Sequence, residues 1–159
     1  MSDDILSVIP TDPYWQPGRA AGEQAAALVT RLVSDLPDDS DTDLDDIQID
    51  VDWYDTLTVV DCGENLERIG CPHCGAELDR EWYANLIEAH PDGFPTLTFT
   101  VPCCSTATPL NTLDYDWPCG FARFEIAVWN PERIWFTDEE LADLADALGH
   151  PVRQIRAHI

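Results

Sequence analysis

The apolar positions of this chain recur with two different periods, and the switches between them divide it into elements. Residues 5–10, ILSVIP, form a short apolar run closed by Pro10 and predict a first strand. Downstream, Ala21, Ala25, Leu28, Val29, Leu32, Val33 and Leu36 recur three and four residues apart, which lines one face of a helix; Pro37 stops it. In residues 47–53 the period drops to two. Ile47, Ile49, Val51 and Trp53 point one way and Gln48, Asp50 and Asp52 the other, as in a strand with one wet face. A second extended run covers residues 56–63.

The remainder reads in the same manner. Asp79 can cap a helix bearing Trp82, Tyr83, Leu86 and Ile87, which ends near His90 and Pro91. Residues 96–104 alternate, with Leu97, Phe99 and Val101 on one side and threonines on the other. In residues 121–131, Ala122, Phe124, Ile126 and Val128 share a face. A helix with full punctuation follows. Thr137 and Glu140 make a capping box, Leu141, Leu144, Ala145 and Leu148 form the stripe, and Gly149 and Pro151 end it. Residues 152–159 read as a closing strand.

In order, the outer segments read β-α-β, an interruption, and β-α-β. This is the element order of a ferredoxin-like split βαβ sandwich, an α+β fold with both helices on one face of an antiparallel sheet. Residues 1–54 and 119–159 supply the sandwich halves. Residues 55–118 form an inserted segment, zinc-ribbon-like in its cysteines. The sequence shows no internal repeat.

Composition changes this picture in two ways. With 45% apolar residues and six Trp, the chain can bury a core. Its longest apolar runs fall far short of a bilayer span, and its N-terminus, MSDDILSVIP, is acidic where a signal peptide is basic. A cytoplasmic protein is expected. The charge is lopsided: 31 acids face 8 bases, all of them Arg, for a net −23. Source bias, such as a GC-rich or salt-adapted genome, accounts for this; so does a field that selects a basic protein partner or mimics nucleic acid. Direct nucleic-acid binding is not expected, because it rests on clustered Lys and Arg. The acidic connector at 38–46 reads as a solvated loop, lacking the Gly and Glu of a calcium loop.

Six cysteines in a chain read as cytosolic point to metal or redox chemistry rather than a disulfide framework. Cys71-Pro72-His73-Cys74-Gly75 has the form of a knuckle: a tight turn lets two thiolates converge on one cation, and the glycine accommodates a positive φ. A structural site wants four ligands, and Cys103 with Cys104 is the expected second pair. Adjacent residues of an extended segment point to opposite faces, so both reach one ion only if the backbone turns there. Cys119, then Cys62, are the substitutes for the fourth ligand; His73, at the third position of its turn, points outward. A thioredoxin-type pair, a vicinal Cys103–Cys104 disulfide and a rubredoxin-like iron site are the competing readings. Zinc, redox-inert and tolerant in geometry, is the expected cation.

The CPHCG segment resembles the knuckles of zinc-ribbon and rubredoxin-type proteins. More loosely, residues 60–159 are similar to a group of small actinobacterial cytoplasmic proteins. That resemblance implies a metal site and no activity.

No enzyme is expected. His73, His90, His150 and His158 lie in no nucleophile arrangement, no serine sits in a G-x-S-x-G elbow, and no glycine-rich phosphate loop is present. Asp114 and Asp116, like Glu64 and Asn65, are read as turn residues. Phe121, Arg123, Glu125 and Trp129 face away from the helix-side stripe, as a protein-binding platform or a surface for the insert. The expected function is a zinc-stabilised acidic binding protein (an adaptor, inhibitor or immunity-type protein) that docks a basic partner. A thiol redox or metal-handling protein is the alternative, and a zinc-ribbon module of transcription or translation a third.

Overall fold

The computed structural model describes residues 3–34, 48–60, 66–131 and 133–158. Ile47, Leu36, the Pro37 stop, the acidic connector, Cys62, Glu64 and Asn65 lie outside the described residues. The protein is a mixed α+β structure with three helices and mainly antiparallel sheet. Strands β1 (Asp4–Pro10), β2 (Gln48–Val60), β7 (Gly120–Trp129) and β8 (Val152–His158) form one four-stranded sheet in the order β2-β7-β1-β8. Every neighbour in it is antiparallel.

Helices α1 (Arg19–Ser34) and α3 (Asp138–Leu148) cover one face of this sheet. Ala25, Val29 and Val33 from α1 and Leu144 and Leu148 from α3 meet Leu6, Val8, Phe124, Ile126 and Val128 in one buried cluster. The heptad-like spacing and the strand alternation thus converge on the same core, as their periods require. The predicted capping box is formed: Thr137 Oγ1 accepts from the Glu140 N–H at 3.2 Å, and Glu140 accepts from the Thr137 N–H at 2.8 Å. Gly149 closes α3 at φ 87°.

One glycine inside α1 has a steric reason. A Cβ on Gly22 would stand 2.3 Å from Trp53 Cζ2. The Trp53 ring lies against α1, its Nε1 donating to the Pro17 carbonyl and the Arg19 guanidinium stacked over it at 4.4 Å.

Residue 54, the end of the first expected sandwich half, falls within β2. β2 runs on to Val60 and stays paired with β7, the register shifting between Trp53 and Thr58. Such an irregularity bends a strand and raises its twist. Beyond it, Leu57 leaves the first core for a second one, with Ile69, Cys71, Leu78, Phe94, Leu97, Val101, Leu110, Leu113 and Phe121. Apart from Leu57 of β2 and Phe121 of β7, the buried members of this second cluster come from residues 66–115. There β3 (Ile69–Gly70) pairs with β6 (Asp114–Tyr115), and β4 (Thr98–Thr100) with β5 (Ala107–Pro109). Helix α2 (Arg80–Glu88), capped by Asp79, lies over it with Trp82, Tyr83, Leu86 and Ile87 partly buried. Phe121 is therefore not part of an open platform. It is taken into the second core, its ring 5.7 Å from Phe94. Glu125 and Trp129 stay on the far face, where Glu125 accepts from Ser7 and Tyr54 and Trp129 donates to Asp50.

Candidate metal centre

Two turns beside the second core carry four of the six cysteines, and they share the same backbone hydrogen bonds. In the first, Gly75 N–H donates to the Cys71 carbonyl at 3.0 Å and Cys71 N–H to the Ala76 carbonyl at 2.9 Å. In the second, Ser105 N–H donates to the Val101 carbonyl at 3.0 Å and Val101 N–H to the Thr106 carbonyl at 3.1 Å. Each turn tips a narrow β ladder: Gly70 faces Glu77 below the first, and Thr100 faces Ala107 below the second. The fifth position is left-handed in both, at φ 74° for Gly75 and 57° for Ser105. Serine carries a steric cost there that glycine does not. Residues 71–76 thus superpose in role on 101–106. Proline stands second and cysteine fourth in each.

The ligand pattern is where they part. The first turn offers its first and fourth residues, Cys71 and Cys74. The second offers its third and fourth, Cys103 and Cys104, because its first residue is Val101, fully buried. The backbone does turn at the adjacent pair, so both sulfurs face the same point. All four Sγ atoms lie within 4.8 Å of one another. Cys74 and Cys103 approach to 3.4 Å, Cys71 and Cys104 to 3.8 Å, and Cys103 and Cys104 to 3.9 Å. A tetrahedron with metal–sulfur bonds of about 2.3 Å has edges of about 3.8 Å. The four thiols therefore fit a single cation of that type with small adjustments.

The local electrostatics favour a thiolate at the first position. The backbone N–H of Cys74 pulls the Cys71 thiol down to about 6 against the effect of burial, and the N–H of His73 adds to the pull. Partial desolvation and the neighbouring thiols push Cys103 up to about 12. A divalent cation outweighs such differences, since coordination draws a thiol into its thiolate form.

Of the substitute ligands, Cys119 lies elsewhere. It is buried with Ile9, Val60, Ala122 and Ile155, at a cleft of about 280 Å³ shared with Trp117 and Arg153, where burial pushes the guanidinium down. His73 is exposed at the tip of the first turn. The other histidines do structural work. His90 donates to the Leu86 carbonyl and stacks on Phe94, His150 stacks on Trp15 at 4.4 Å, and His158 contacts Asp4 at 2.9 Å. Asp116 accepts from the Glu67 N–H at 3.2 Å.

Sequence reasoning found the four cysteines and missed the likeness of the turns. The signal was present: proline second, cysteine fourth and a small residue fifth in both CPHCGA and VPCCST. Among the described residues no helix is long and apolar enough to cross a membrane. Comparison with protein-family models, curated proteins and solved structures finds no match to the chain.

Proposed function

We propose that this chain is a non-enzymatic, zinc-stabilised binding protein of the cytoplasm whose acidic surface docks a basic protein partner. The observation that carries the metal assignment is the convergence of four sulfurs from two matching turns within 4.8 Å. Four thiolates complete a tetrahedral shell, so Cys71, Cys74, Cys103 and Cys104 leave no open position for substrate or water. Bound there, zinc supplies cross-linking of two hairpins, not reactivity. The strand order and the two helices on one face support a ferredoxin-like split βαβ sandwich. The paired knuckles support a zinc-ribbon-like insert, best bounded by Val60 and Gly120, where β2 and β7 leave the main sheet.

The docking part rests on charge. A net −23 with only eight arginines produces a field that attracts cations over a Debye length and repels nucleic-acid phosphate. An adaptor, inhibitor or immunity-type role fits such a surface. The exposure of Cys74 and Cys103 favours a second reading, in which the same cluster handles thiol redox or metal transfer.

Native mass spectrometry of the untagged, unoxidised protein tests the first reading. One zinc per chain is expected, lost in Cys71→Ser and Cys74→Ser variants. Metal-free wild-type protein with an intact fold overturns it. Partner association should weaken as salt rises; a native partner held equally at low and high salt overturns the electrostatic part.

A further inference from the structure

We propose that Cys74 and Cys103 are the oxidisable half of the metal site, and that a hydroperoxide joins them as a disulfide and so releases the cation. This rests on the reading that the four thiols hold one zinc.

The structure divides the four sulfurs into two unlike pairs. Cys71 is 3% exposed and packed into the second core beside Val101 and Leu78. Cys104 is half-buried, with its sulfur 3.3 Å from Thr106 Oγ1. Cys74 and Cys103 are both exposed, and their sulfurs approach to 3.4 Å, closer than Cys71–Cys104 at 3.8 Å or Cys103–Cys104 at 3.9 Å. The reason is the shifted ligand pattern. With Val101 filling the buried first position, the second turn supplies its ligand from the third, the tip that His73 occupies openly in the first turn. The replacement sulfur therefore sits at the solvent edge, directly across from Cys74.

A peroxide needs an accessible sulfur, and a resolving thiol within reach makes the product a disulfide rather than a higher oxide. The Cys103 sulfur attacks one peroxide oxygen; the S–O bond forms, the O–O bond breaks, and the alcohol leaves after taking a proton. The Cys74 sulfur then attacks the sulfenic sulfur. The S–S bond forms, the S–O bond breaks, and hydroxide leaves as water with a second proton. The two thiolates give up two electrons and the hydroperoxide takes them. Cys103 and Cys104 are the poorer pair, because a disulfide between neighbours closes a small ring through their peptide bond and strains its planarity. After the first oxidation only Cys71 and Cys104 remain as ligands, too few for a structural site.

The test uses the full zinc-loaded chain and tert-butyl hydroperoxide. Zinc content is measured before the oxidant is added. Released zinc is then followed with a chromogenic chelator, and cross-links are mapped by mass spectrometry without reduction, with fragmentation between residues 103 and 104. The expected result is zinc release in step with a Cys74–Cys103 disulfide, both reversed by dithiothreitol and zinc. Protein that carries no zinc at the outset overturns the metal reading. Zinc-loaded protein whose first product is Cys71–Cys104, Cys103–Cys104 or no cross-link overturns the oxidation proposal alone.

Discussion

Val101 stands in the second knuckle where Cys71 stands in the first. Both are buried in the same core, both donate their N–H five residues ahead, and both accept from a left-handed residue four ahead. One turn has a candidate ligand at that position and the other a packed valine, and the second turn's extra sulfur stands at Cys103.

That equivalence predicts a transplant. Val101→Cys combined with Cys103→Ser should restore a first-and-fourth pattern in both turns and keep one zinc per chain. Cys103→Ser alone should lose zinc to a competing chelator at least tenfold more readily than wild type. Competition titration distinguishes them; a double variant no better than the single one contradicts the turn equivalence.

Removing the metal should act locally. Cys71 and Val101 belong to the second core, whereas among the described residues the core between α1, α3 and the four-stranded sheet includes none of the four clustered cysteines. Chelation is expected to raise amide exchange across residues 69–115 and to leave β1 and β8 protected. Hydrogen-exchange mass spectrometry reads both regions in one experiment.

Gly22→Ala sets two effects against each other. Alanine is favoured over glycine in a helix by about 1 kcal/mol. The added Cβ would stand 2.3 Å from Trp53 Cζ2 and 3.0 Å from Phe124 Cε2, both parts of rigid rings. Overpacking of that kind costs about 1–3 kcal/mol, so the variant should be less stable. A urea melt gives the sign.

Glu140 gives a pH signature. Burial raises its carboxyl, but the Arg133 guanidinium and the Thr137 N–H lower it more, leaving it below its ordinary value of 4.5. Its contribution is therefore present above that value and fades as pH falls through the depressed one. Glu140→Gln should lower stability by about 1 kcal/mol near neutral pH, allowing for solvent screening. The difference from wild type should shrink in acid. Chemical melts at several pH values check the convergence.

The local signals in the chain determined most elements by themselves. The stripe through Ala25, Val29 and Val33, the capping box at Thr137 and Glu140, and the strand alternation from Phe124 to Val128 each depend on residues close in sequence. Their period alone says which face is apolar. The four cysteines were legible for the same reason, since thiols in a CPHCG turn and beside a proline advertise a metal. What only the tertiary structure decided is non-local. The bend that carries Leu57 and Phe121 out of the first core depends on pairing between strands distant in the chain. The likeness of CPHCGA to VPCCST is a likeness of hydrogen bonds, which a valine in place of a cysteine conceals. Cys103 became a candidate ligand because burial claimed Val101, and burial is settled only when the rest of the chain has closed around it.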